Sequence, residues 1–148
     1  MIVLLFGQPA SGKTTLAEKI SKFLSVSNNV FHIDGDEWRA VTKNTDYSKQ
    51  GRIENLRGAF NTALYIENSG FDVVLSFVAP YQSIRDYLRL NAKEFRFIYL
   101  TYDEDRGRNE FFVDDFEVST SFVHEINTSV LDEQQCLEAA IDFIVNKY

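Results

Sequence analysis

One cysteine, two histidines and two prolines are all that 148 residues contain of those types. A lone thiol, Cys136, cannot close an internal disulfide or build a cysteine zinc site. It falls in an apolar-periodic segment and reads as a small buried hydrophobe. No apolar run approaches the length of a membrane span. The opening "MIVLLFG" is apolar but short, with no basic stretch ahead of it, and runs straight into a glycine-rich loop. A soluble, cytoplasmic protein without a leader is expected. Cations are also scarce in places. Net charge is -7, no Lys or Arg lies between Arg108 and Lys147, and all eight arginines fall between Arg39 and Arg108. An acidic chain is a poor electrostatic partner for duplex nucleic acid or an anionic membrane, so neither is an expected partner. Arginines confined to one stretch suit a local anion site, although solvated helix faces would give the same count.

Apolar content is not lacking. At 45% hydrophobic the composition is that of an ordinary globular protein, and the length suits one domain spanning residues 1–148. Short apolar runs alternate with helical patterns. Ile2 to Phe6, Val30 to Ile33, Phe71 to Val78, Phe95 to Leu100 and Phe122 to Ile126 read as strands. Lys13 to Leu24, Ser48 to Asn68, a segment opened by Pro80 and running to about Leu90, and Glu133 to Val145 read as helices. That alternation predicts an α/β protein with a parallel sheet covered on both faces. One irregular stretch, Thr101 to Ser121, is polar and charged with aromatics inside it, the kind of segment that is usually functional.

"GQPASGKT", Gly7 to Thr14, fits the spacing G-x-x-x-x-G-K-[ST] between a strand and a helix. Glycines let the backbone turn its N–H groups inward around phosphate oxygens, and the helix N-terminus adds its positive end. The expected nucleotide contacts are Gly7, Ala10, Ser11, Gly12, Lys13, Thr14 and Thr15. Lys13 supplies a point charge for the terminal phosphates and Thr14 a hydroxyl for Mg²⁺. The motif points to a nucleoside triphosphate, ATP by preference, and is silent on what receives the phosphate.

"DGDEWR", Asp34 to Arg39, follows the second strand and places two carboxylates at the carboxyl edge of the sheet, where ligands of open α/β sheets bind. Asp36 suits acceptance or orientation of a hydroxyl proton, Asp34 suits a Mg²⁺ water shell, and Gly35 allows close backbone approach. "DVVLSF" ends without an acid, so Asp34 stands in for the usual metal-holding carboxylate of that strand. The competing reading is a helix N-cap beside a spare surface acid. Arg52 and Asn55, three apart on the long helix, either grip a phosphate or sulfate or belong to a solvated face.

Taken in order, "GQPASGKTT", "DGDEWR", "YSKQGRIENLR" and "SFVAPY" resemble the adenylylsulfate kinases, or APS kinases, from the N-terminus to about Arg85, with similarity resuming from Ile126 to Ile144. The resemblance implies the three-layer P-loop NTPase fold with a mostly parallel five-stranded sheet. It implies transfer of a phosphoryl group from ATP, with Mg²⁺, to the 3′-hydroxyl of adenosine 5′-phosphosulfate, a reaction of sulfate assimilation. Asp36 would act on that hydroxyl. Arg39, Arg52 and Asn55 would hold the phosphosulfate nucleotide, Tyr47 would take the place of a phenylalanine that stacks on its adenine, and Ser76, Phe77 and Pro80 would shape its pocket. Gly51 stands where the family has Asp, Ala79 where it has the second serine of S-F-x-S-P, and Gln82 where an arginine is common. The family's long basic lid is here the short "TYDEDRGRNEFFVDDFE", which leaves Arg106 and Arg108 to reach the ATP phosphates and Phe111, Phe112 or Phe116 as the second stacking aromatic.

His32 and His124 read as core-edge histidines bonded to backbone, and Trp38 as a packing residue beside the acceptor. The loop Ile126 to Ser129 would edge the donor adenine by analogy of fold. A homodimer is left open. Two other readings stand beside the leading one: a kinase of another hydroxyl, such as a polynucleotide 5′-end, a nucleoside or another metabolite, and a nucleotide-binding module without catalysis.

Overall fold

A computed structural model describes residues 1–118 and 121–146. Positions 119–120, inside the irregular stretch, and 147–148, which include the lysine that bounds the cation-poor run, lie outside the described residues. Five strands form one sheet: β1 (Ile2–Phe6), β2 (Val30–Asp34), β3 (Asp72–Phe77), β4 (Phe95–Thr101) and β5 (Val123–Asn127). Their order is β2-β3-β1-β4-β5, and all four pairings are parallel. β1 takes the centre because all five of its residues are apolar and fully buried, as a strand covered on both faces requires.

Alternation along β1 builds two cores. Ile2, Leu4 and Phe6 meet Leu56, Phe60 and Ala63 of α3 (Lys49–Asn68) and Ile84 and Leu88 of α4 (Gln82–Asn91). Val3 and Leu5 meet Leu16, Ala17 and Ile20 of α1 (Lys13–Leu24) and Ala140, Phe143 and Ile144 of α5 (Glu133–Asn146). A further two-turn helix, α2 (Gly35–Thr42), starts directly from β2. Ser48 caps α3, its hydroxyl accepting from the Gly51 N–H at 3.1 Å.

Several element ends shift by one residue from the sequence reading, β3 for example spanning Asp72–Phe77 rather than Phe71 to Val78, and two boundaries differ for a reason visible in the structure. Pro80 does not open a helix. The chain from 78 to 81 stays out of helical conformation, Ala79 sits at a φ of 42°, and α4 begins at Gln82. Its first-turn N–H is satisfied from elsewhere, because the Glu117 carboxylate accepts from Gln82 N at 2.8 Å. β5 starts one residue later than expected, since Phe122 has a φ of 62°, which no strand accommodates.

β1, β2 and β3 all end at one edge, and Gly7 marks where β1 leaves the sheet. A Cβ there would lie 2.4 Å from the Leu100 carbonyl oxygen, at a φ of 154°. Gly7→Ala is therefore expected to destabilise the fold by about 1–3 kcal/mol, read as a lower urea midpoint at unchanged slope. An unshifted midpoint would show that the edge gives way freely.

Candidate active site

The loop from Gly7 to Thr14 joins β1 to α1. Ala10 (φ 67°) and Gly12 (φ 95°) are left-handed, which turns successive peptide N–H groups toward one concavity at the start of α1. Gly7 stands behind that concavity, its own N–H directed to the Val78 carbonyl at 3.4 Å. Lys13 Nζ donates to the Gln8 carbonyl at 2.9 Å and to Ser11 Oγ at 3.3 Å. Burial pushes its ammonium down to a pKa of about 8, against the opposing pull of Asp36 and Asp34.

Asp34 is the hub. It is nearly buried, at 9% exposure, and one oxygen accepts from Thr14 Oγ1 at 2.7 Å and from Ser76 Oγ at 2.8 Å. Its other oxygen accepts from the Asp36 N–H at 3.2 Å, so Asp34 also caps α2. Burial alone would raise its pKa; the hydrogen bonds from Thr14, Ser76 and the Glu37 and Asp36 backbone outweigh that and hold it below the usual range. Register explains the contact, because Asp34 of β2 pairs with Ser76 of β3. The N-cap and the functional carboxylate are one residue, while Asp36, freed of capping duty, faces the cleft. His32 does not bond to backbone as the sequence suggested: its Nε2 lies 2.8 Å from Ser76 Oγ. Ser76 gives its only proton to Asp34, so Nε2 is the donor, and burial keeps the imidazole pKa below its ordinary value. His124 stacks on Phe143 at 4.8 Å.

Two cavities open on the loop and share Gly12 and Thr15. The larger, about 830 Å³, brings together Lys13, Thr14, Asp34, Asp36, Arg39, Tyr47, Arg52, Asn55, Ser76, Phe77 and Pro80, with Ala10 on its rim. The smaller, about 420 Å³, is lined by Ser11, Leu16, Arg106, Thr128, Leu131 and Cys136. The two lid arginines part company here. Arg106 donates to the Ala10 carbonyl at 2.9 Å on the smaller cavity's side, whereas Arg108 lines the larger one with its guanidinium 4.7 Å from the Phe111 ring centroid. Cys136 is buried as expected, yet it forms part of a cavity wall.

Among the aromatics, Phe116 packs inward on Phe6 and Tyr99, leaving Phe111 and Phe112 on the cleft. Tyr47 lines the same cleft, with one face covered by Arg39, 4.0 Å from its centroid. Arg39 Nη1 is bound to Asn44 and to the Asp46 carbonyl. Asn55 is 7% exposed and its buried Oδ1 has no hydrogen-bond partner. Trp38 packs at the edge of the core near Gly58. The sequence reading missed Asp46. Its carboxylate fills the space a side chain at Gly51 would need, with a Cβ there only 2.2 Å from Asp46 Cγ. The signal was present, because a glycine replaces the family's acid five residues after an aspartate. Gln8 and Glu117 were missed as well, and spacing could not reveal contacts with residues 105 and 35 positions away.

Residues 1–109 match the family model described as adenylylsulphate kinase. The chain belongs to the adenylylsulphate kinase family. Adenylyl-sulfate kinase of Oceanobacillus iheyensis is 33% identical over 94 residues, covering 62% of this chain and 47% of that protein. Cytidine diphosphoramidate kinase of Campylobacter jejuni is 30% identical over 103 residues, 69% of this chain and 61% of its own. The chain thus spans less than two thirds of these relatives' length. The solved Mycobacterium tuberculosis APS kinase in complex with AMPPNP and APS shares the fold, with a TM-score of 0.79 at 19% identity over 97% of this chain and 96% of that one.

Lys13 gives this site a measurable pH response. Arriving phosphates stabilise its ammonium, so above pH 8 binding must take up a proton. Affinity for a nucleoside triphosphate should fall as pH rises through about 8, approaching tenfold per unit beyond it. Titration calorimetry in buffers of different ionisation heat should detect proton uptake at about pH 9 and little at about pH 6.5. Constant affinity across that range would mean that the amine stays charged in the empty site.

Proposed function

We propose that the protein transfers the γ-phosphoryl group of ATP to the 3′-hydroxyl of adenosine 5′-phosphosulfate. The observation that carries this reading is the division of labour between the two aspartates. Asp34 is engaged with Thr14, Ser76 and the start of α2, while Asp36 lines the same cleft as Lys13, Arg39, Arg52 and Asn55. Asp36 takes or directs the acceptor's hydroxyl proton. The hydroxyl oxygen then bonds to the γ-phosphorus, and the bond to the bridging oxygen of ADP breaks. Lys13 and the inward N–H groups offset the charge on the transferred group.

Thr14 and Asp34 suit Mg²⁺. Both offer hard oxygen donors, and because Thr14 gives its proton to Asp34, its lone pairs are left for a cation. When bound, Mg²⁺ would neutralise phosphate charge. The smaller cavity would take the donor's base, with Arg106 on its wall. Arg52 would meet the acceptor's anionic group, Asn55 Oδ1, an acceptor short of a donor, would take a hydroxyl hydrogen of the same nucleotide, and Tyr47 and Phe111 or Phe112 would flank its base.

A second reading keeps the chemistry and changes the acceptor to cytidine diphosphoramidate. The likeness to the Campylobacter jejuni enzyme favours it. The two acceptors share a design: a nucleoside whose 5′-phosphate carries a second tetrahedral group. ADP release stimulated by adenosine 5′-phosphosulfate is expected, with Asp36→Ala lowering kcat by about 10²–10⁴-fold while ATP affinity stays within about twofold. Stimulation by cytidine diphosphoramidate alone would transfer the assignment to the second reading, and stimulation by neither would overturn both.

A further inference from the structure

Gln8 lies in the phosphate loop at a position the loop's motif leaves open, and its two ends face different ways. Its backbone carbonyl accepts from Lys13 Nζ at 2.9 Å. Its side-chain amide makes a reciprocal pair with the backbone of one residue: Nε2 donates to the Val113 carbonyl at 3.0 Å, and the Val113 N–H donates to Oε1 at 3.0 Å. A primary amide matched in this way to the N–H and C=O of one residue mimics a strand pairing and tolerates little displacement. Val113 is 5% exposed and follows directly on Phe111 and Phe112, which line the larger cavity.

The other end of this wall is anchored independently. Phe116 is packed on Phe6 and Tyr99, the Glu117 N–H donates to the Pro80 carbonyl at 2.8 Å, and Arg85 donates to the Glu117 carbonyl. Nothing in that anchor touches the phosphate loop. Gln8 is the hydrogen-bonded link from the loop to Val113; Tyr102 makes a second, looser contact, its hydroxyl donating to the Pro9 carbonyl at 2.7 Å and its ring centroid 6.1 Å from that of Phe112. A terminal phosphate would compete with the Gln8 carbonyl and Ser11 Oγ for the Lys13 ammonium, so its arrival bears directly on the backbone at Gln8.

We propose that Gln8 is a positioning residue that couples the two substrates: occupation of the phosphate loop is transmitted through Gln8 to Val113 and sets Phe111 and Phe112 against the acceptor. This rests on the two-substrate kinase reading above but not on which acceptor is used. The coupling reads out first without any acceptor, by hydrogen exchange at the Val113 amide with and without the non-hydrolysable analogue AMPPNP. In the wild type, AMPPNP should change exchange at residues 111–113 by at least about threefold, and in Gln8→Met, which keeps the side chain's bulk and loses both bonds, by less than about 1.5-fold. Gln8→Ala serves as the second variant, and thermal melts report whether each variant folds. With adenosine 5′-phosphosulfate, Gln8→Met should raise acceptor KM about 5–10-fold, with kcat and the donor affinity measured without acceptor each within about twofold. An unresponsive segment in the wild type, an equal response in the variants, or a parallel loss of donor and acceptor affinity would overturn the proposal. If the exchange arm succeeds while adenosine 5′-phosphosulfate is not turned over, the acceptor assignment fails and the coupling stands.

Discussion

A single carboxylate holds the site in register. Asp34 ends β2, accepts from Thr14 at the head of α1 and from Ser76 at the end of β3, and caps α2 with its second oxygen. Three chain segments that are remote in sequence meet at one buried negative charge. Hydrogen bonds to an ionised group are the stronger kind, and leaving such a group unpaired is costly. Once Asp34 is committed, the geometry of its neighbours follows. Thr14 is oriented, α2 begins where Asp36 enters the cleft, and His32 is drawn into the chain through Ser76. The absence of an acid at the end of β3 is thereby explained: a serine there donates to the carboxylate that the neighbouring strand supplies.

The lid region shows how a short segment closes a cleft with few residues. Its far end is built into the core through Phe116 and into the 79–82 turn through Glu117. Arg85, 1% exposed, sits beneath, bonding the Ala79 and Glu117 carbonyls and resting 4.6 Å from the Phe6 centroid. Its burial lowers its pKa to about 10, so it remains charged at neutral pH. The near end is held by Gln8. Phe111 and Phe112 are thus presented from a fixed frame to the cleft that Tyr47 also lines, with Arg39 stacked on one face of Tyr47.

Much of this was legible in the sequence wherever local patterning carries the information. All five strands, the long helix after Ser48 and the loop from Gly7 to Thr14 follow from apolar periodicity and glycine placement, and the family follows from the order of its motifs. What spacing could not show was closure between distant segments. The start of α4 was misplaced because its cap, Glu117, comes from another part of the chain, and Phe122 could not be recognised as left-handed from its type. The capping and functional readings of "DGD" stood as rivals until β2–β3 register placed Ser76 beside Asp34, which let one residue do both. The role of Gly51 likewise needed the fold, since only there does Asp46 occupy its missing side chain's space.

The central claim is that the two aspartates do different work: Asp34 orders the cation side and Asp36 acts on the acceptor. The direct measurement is Mg²⁺ dependence of turnover for Asp34→Asn and Asp36→Asn. Asp34→Asn should raise the half-saturating Mg²⁺ concentration by about tenfold or more, and Asp36→Asn should lower kcat about 10²-fold or more without moving it. Equal shifts in Mg²⁺ requirement for both variants, or loss of kcat alone for Asp34→Asn, would contradict that division.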